Sequence, residues 1–113
     1  MITSKNNELI RYVKKISSKP KARREEKVFF AEGRRLLSET PSDLLVKVLV
    51  SEDFSYGDTT ADQKLQDVLS TCRDVEEVSA GVFSEFSETK HSQGIAAIVK
   101  QPSYDPKDLL SDD

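Results

Sequence analysis

The side chains able to do covalent or acid–base chemistry are few. His91, the one histidine, stands beside Ser92 in a polar turn without a third member of a triad. The one cysteine, Cys72, falls on the apolar arc of a helix. A nucleophile needs a neighbouring base and a group that orients that base, and a His/Cys metal centre needs more ligands than these two. Carboxylates are numerous but scattered, and none has the apolar flanks that would raise a pKa. The sequence therefore presents no candidate catalytic residue and no metal-ligand set, and Cys72 reads as a buried structural thiol.

What the chain offers instead is concentrated positive charge. From Lys14 to Leu37 it reads KKISSKPKARREEKVFFAEGRRLL. Residues 1–35 hold eleven Lys/Arg and four Asp/Glu, a balance of +7, while the remainder holds six and sixteen, a balance of −10; together they make the net −3. Such a run is either an ordinary solvated face or a surface that neutralises phosphates and gains affinity by releasing counterions. Arginine adds a planar fork that grips phosphate or stacks on a base.

Three elements must position these cations. Ser4 is a candidate cap for a first helix with Glu8 in its first turn. In that helix Leu9, Val13 and Ile16, flanked by Ile10 and Tyr12, make one apolar arc. Arg11, Lys14, Lys15 and Ser18 then take the opposite arc, and Pro20 marks its end or a kink. Residues 19–27 lack apolar periodicity and read as a loop or a short polar helix. Val28–Ala31 is a short buried-type strand closed by Gly33, and Arg34–Thr40 has room for two helical turns. The basic segments lie close enough in the chain for one fold to gather them into a patch.

The remaining elements supply the core. Leu44–Val50 is the clearest strand, with Val46, Val48 and Val50 on one face. Residues 51–59 read as a surface loop. Thr60 with Gln63 forms a capping-box pair ahead of a helix whose apolar positions are Ala61, Leu65, Val68, Leu69 and Cys72. Asp74–Val78 is a marginal strand, and Ser79 caps a short helix with Val82, Phe83 and Phe86 facing inward. Ile95–Val99 is a second buried-type strand. Helices alternating with strands predict an α/β fold, a three-layer α/β/α sandwich around a four-stranded parallel or mixed sheet. The tail from Pro102 reads as a linker, so the division is residues 1–101 as one domain and 102–113 as connector. No apolar segment approaches the ~18 residues of a membrane span, and the N-terminus lacks a secretory apolar region. With a single cysteine, these features predict a cytoplasmic protein without membrane contact.

With those residues in place, the sequence resembles the N-terminal substrate-binding domain of the SpoU (TrmH-like) RNA 2′-O-ribose methyltransferases. The resemblance runs over about residues 2–102. It is carried by Ile2-Thr3-Ser4-Lys5-Asn6-Asn7, by the block from Lys21 and Arg23 to Phe29, by Glu32-Gly33 with Arg35, and by Val46–Val50 with Ser51-Glu52. Its most distinctive part is Val78-Ser79, Phe83, Ser87, Thr89 and Gln93-Gly94-Ile95-Ala96-Ala97. It implies a sandwich of the kind found in ribosomal and kink-turn-binding proteins, and rRNA or tRNA as partner.

The resemblance further implies that S-adenosylmethionine and the methyl transfer belong to a separate knotted catalytic domain whose motifs are not in this sequence. The chain alone is then expected to be inactive, without a cofactor of its own, and monomeric, the parent enzyme dimerising through its catalytic domain. Lys21, Arg23 and Arg35 match basic positions of the family and are the leading RNA contacts, with Arg34 and Arg24 beside them. Arg11, Lys14 and Lys15 rest on the helical wheel. Gln93 either reads RNA or shapes its turn with Gly94, and Glu32 is expected to orient one of the arginines as a buried pair. The competing reading, from another class, is a protein-interaction or scaffolding domain that uses the acidic C-terminal half.

Overall fold

The structure, a computed structural model, describes residues 1–89 and 92–102. His91 and most of the expected connector, residues 103–113, lie outside the described residues. The elements are α1 (Glu8–Ser18), α2 (Pro20–Glu26), β1 (Val28–Glu32), α3 (Arg34–Ser38), a 3-10 turn (Ser42–Leu44), β2 (Leu45–Ser51), α4 (Thr60–Ser70), β3 (Val75–Val78), α5 (Ala80–Phe86) and β4 (Ile95–Lys100). The sheet is mixed, in the order β1-β4-β2-β3. β2 and β3 pair in parallel through the α4 crossover, whereas β4 enters between β1 and β2 and runs antiparallel to both. Among the described residues no helix is long and apolar enough to cross a membrane.

The central strand explains why IAAIV is apolar without alternation. Ile95, Ala96, Ala97, Ile98 and Val99 are all buried because helices cover both faces of the sheet. On one face Ala96 and Ile98 join Leu49 under Ile10, Val13 and Ile16 of α1, Ala22 of α2, and Val82, Phe83 and Phe86 of α5. On the other, Ile95, Ala97 and Val99 meet Ala31, Val48, Leu37 of α3 and Leu65 of α4. This is the three-layer sandwich expected from the sequence.

Three local expectations are corrected. The cap of α1 is Asn7, whose Oδ1 accepts from the Leu9 N–H, while Ser4 Oγ accepts from the Asn6 N–H one turn earlier. The cap of α4 is Thr59, not Thr60, with Asp62 at the third position. Val46 does not share a face with Val48 and Val50. The β2–β4 register skips a residue between Leu45 and Lys47, so Leu45 turns into the core and Val46 is left 42% exposed. The polar stretch 19–27 resolves as the short helix α2. Pro20 both ends α1 and opens α2, where its missing N–H is no loss, and Lys27 closes α2 in the left-handed region.

Candidate functional site

The sheet divides the basic residues. α1 and α2 lie over one face and α3 over the other, so the single patch expected from the sequence is two surfaces. On the first, Arg11 and Lys15 are exposed and Lys14 half-buried on the outward arc of α1. With Lys5, Asn6, Ser18 and Lys19 they line an open concavity of about 430 Å³. Its acidic member is Glu85 of α5, whose Oε1 stands 3.4 Å from Lys14 Nζ. Lys21 and Arg24 are exposed on neighbouring α2, with Lys21 3.8 Å from Glu25 one turn on. On the second surface Arg35 projects from α3, its side chain 89% exposed and loosely paired with Glu39.

Two arginines named with them are occupied inside the fold. Arg23 folds back from α2, and its Nη1 donates to the carbonyls of Ile16 (2.7 Å) and Ser17 (3.1 Å). These belong to the last turn of α1, whose carbonyls have no partners within the helix. Arg23 therefore fastens α1 to α2 and is not an open cation. Arg23→Ala should lower stability by about 1–2 kcal/mol, the worth of charge-assisted bonds to carbonyls that water partly replaces. A thermal melt compares it with Lys21→Ala, which should be neutral because the exposed Lys21–Glu25 pair contributes little.

Arg34 is held more firmly. Its Nη1 donates to Asp62 Oδ1 and to the Ser55 carbonyl, both at 2.7 Å, and its guanidinium carbon lies 4.6 Å from the centre of the Phe54 ring. Asp62 is buried in the first turn of α4 and also accepts from the Thr59 hydroxyl at 2.7 Å. The Thr59 hydrogen bond, then the Arg34 guanidinium, hold the Asp62 carboxyl below the usual carboxylate range against the opposing effect of burial. Gly57 makes room for this cluster, since a Cβ there would stand 2.9 Å from Asp62 Oδ2.

Glu32 takes a different role from the one expected. Among the described residues it pairs with no arginine; its carboxylate accepts from Ser87 Oγ, the Glu88 N–H (2.9 Å), Thr89 Oγ1 (3.4 Å) and Ser92 Oγ (2.8 Å). One carboxylate at the end of β1 thereby ties down both sides of the segment that leads into β4. Gln93 continues the series, its Oε1 accepting from the Arg34 N–H at 2.7 Å. It shapes the turn, because Gly33 leaves the first N–H of α3 without a side-chain cap. The Gly94 carbonyl in turn accepts from the Ser51 N–H. The Ser/Thr/Gln-Gly signature is thus a hydrogen-bonded frame joining the ends of β1, β2 and β4.

Sequence reasoning missed Asp62, Glu85 and Lys19. Asp62 had a usable signal: it lies three residues before Leu65 and seven before Leu69, on the apolar arc of α4, where an acid needs a buried partner.

No curated protein sequence matches the chain. The fold is similar to that of an RNA 2′-O ribose methyltransferase, with a TM-score of 0.71 and 23% identity over 93% of this chain and 39% of that one. It is similar to an rRNA methyltransferase from Sinorhizobium meliloti, with a TM-score of 0.65 and 20% identity over 91% and 37% of the two chains. It is also similar to the SpoU methyltransferase AviRb from Streptomyces viridochromogenes, with a TM-score of 0.65 and 15% identity over 90% and 38%. The chain thus spans less than two-fifths of the length of each of these structures. In sequence, residues 7–97 match the family model described as MRM3-like substrate binding domain. The chain belongs to the MRM3-like substrate-binding domain family.

Proposed function

We propose that this domain recognises RNA, rRNA or tRNA, for a SpoU-type methyltransferase that uses S-adenosylmethionine to methylate a ribose 2′-hydroxyl. The observation that carries the reading is the substrate-binding family match over residues 7–97. The similar folds in enzymes described as RNA 2′-O ribose and rRNA methyltransferases support RNA as the substrate. The AdoMet bound in two of the similar structures supports the methyl donor. A cytoplasmic enzyme that dimerises through its catalytic part is the setting this reading proposes.

The residues described here do not fit S-adenosylmethionine. An apolar groove of about 550 Å³ runs between Phe54, Tyr56, Leu69, Cys72 and Val75, but among the described residues its one charged lining residue is Glu77. A ligand bearing a carboxylate needs a cation or a cluster of N–H groups there. On this reading the work of this domain is to bind and orient. Open lysines and arginines meet phosphates, and the Glu32 and Asp62 clusters hold their supporting elements rigid.

Such binding is salt-dependent. With about four phosphates neutralised, the logarithm of the affinity should fall with the logarithm of salt concentration at a slope of roughly −3 to −4. Fluorescence anisotropy with tRNA and rRNA-fragment transcripts measures it. The absence of RNA binding at low salt, together with a stoichiometric protein complex in a pull-down, would overturn the reading in favour of a protein-interaction domain.

A further inference from the structure

The concavity along α1 has a more definite chemistry than positive charge. We infer that it is a docking track for the phosphodiester backbone of duplex RNA, an inference that rests on the RNA-recognition reading above.

Three observations select this occupant. Lys5, Arg11, Lys14, Lys15 and Lys19 converge on one open depression, whose only acidic lining residue among the described residues is Glu85, on a protein whose net charge is −3. The positive field is local, and a polyanion is its complement. The support is rigid: Ile10, Val13 and Ile16 are fully buried beneath the cations, so the eleven-residue α1 presents a straight row about 16 Å long. Finally, among the described residues no aromatic side chain lines the depression. Tyr12, half-buried, packs against the core and borders a smaller neighbouring depression with Glu8, Arg11 and Lys15. Single-stranded RNA is gripped by stacking its bases on aromatic faces. Duplex RNA is recognised by shape and backbone, without access to base faces. A rigid cationic row with one half-buried tyrosine at its margin, and no series of aromatic faces among the described residues, matches the duplex.

Glu85 gives this site a signature. It stands 3.4 Å from Lys14 Nζ with the two side chains 43% (Lys14) and 39% (Glu85) exposed, so water screens the pair and it contributes little to folding while withdrawing one cation from the row. Glu85→Gln should free Lys14 and tighten binding, a gain that a defect in folding cannot imitate.

The test uses the whole chain in fluorescence anisotropy at low salt, with an RNA duplex of about 16 base pairs and each of its separate strands. Expected are tighter binding to the duplex than to either strand, and a loss of about tenfold in duplex affinity for the Arg11→Ala/Lys15→Ala double variant. Glu85→Gln should gain about twofold to threefold and steepen the salt slope by about one. Asp43→Asn, in the 3-10 turn beside the opposite cluster, should leave affinity unchanged and controls for net charge. RNA binding that ignores the α1 substitutions would overturn the track while leaving RNA recognition standing. Single strands binding as tightly as the duplex would overturn the assigned substrate class. No RNA binding by the unaltered chain would overturn the recognition reading, and the track with it.

Discussion

Asp62→Ala should lower the midpoint of thermal unfolding by about 15 °C, the largest single effect expected of any charged residue in this domain. The side chain removed is small and the space it leaves is modest. The cost arises because Arg34, its side chain only 24% exposed, keeps its charge and loses its partner at 2.7 Å. The Thr59 hydroxyl loses its acceptor as well, and with it goes the support of the α4 cap. Asp62→Asn keeps the volume and one acceptor for Thr59 but not the charge, so it should fall between the wild type and the alanine variant. Acid provides the second readout. The folded pKa of Asp62 lies below its ordinary value of 3.8, so its stabilisation is fully present above that value and is lost as pH falls through the depressed folded pKa. The wild type should therefore lose stability below about pH 4 more steeply than Asp62→Asn. Equal acid limbs for the two proteins, or an Asp62→Ala midpoint within a few degrees of wild type, would show that the pair does not hold the fold. Charge reversal separates pairing from mere burial: the Arg34→Asp/Asp62→Arg double variant should be less damaged than the sum of its parts if pairing dominates.

The contrast between Arg34 and Arg35 shows where the sequence was legible. Strands VFFA, LVKVLV and IAAIV and the apolar arc of α1 depend on residues close together in the chain, and each stands where its pattern places it. The bulge at Val46 does not, because register is settled by β4, about fifty residues away. On the arc of α4 Leu65 alone is fully buried, and Cys72, expected there as a buried thiol, lies past the helix end and is half-buried. Arginine is least legible of all. Arg34 and Arg35 are adjacent and identical in type, yet one is tied to a carboxylate 28 residues on while the other is open to solvent. Arg23 looks like part of the same cationic run but serves two carbonyls of α1. Positive charge predicts a polyanion surface only after the arginines with internal partners have been removed from the count. That subtraction leaves α1, the exposed part of α2 and Arg35. The signature around Gln93-Gly94 was legible as a motif, but its role was not. The Glu32 carboxylate and the Arg34 N–H that complete the frame lie about sixty residues earlier in the chain.

Gly33→Ala should cost about 2–3 kcal/mol, lowering the unfolding midpoint by about 10 °C. Gly33 has φ 114° and ψ 150°, a region open essentially to glycine alone. The nearest atom to a Cβ placed there would be Gln93 Oε1 at 3.6 Å, an ordinary contact. The expected loss is therefore conformational, not steric. It arises where β1 must end and α3 begin within one residue: the Gly33 N–H donates to the Ile95 carbonyl and its own carbonyl accepts from the Leu37 N–H. A backbone that relaxes to negative φ cannot keep both bonds, nor hold the Arg34 N–H against Gln93. The variant should thus loosen α3 and with it Arg35, so hydrogen exchange at residues 34–38 should accelerate more than in α1. Handedness provides the decisive control. A D-alanine introduced at position 33 by semisynthesis favours positive φ, as its L form does not. It should restore most of the lost stability. Equal destabilisation by L- and D-alanine would mean that space, not backbone conformation, dictates glycine at this junction.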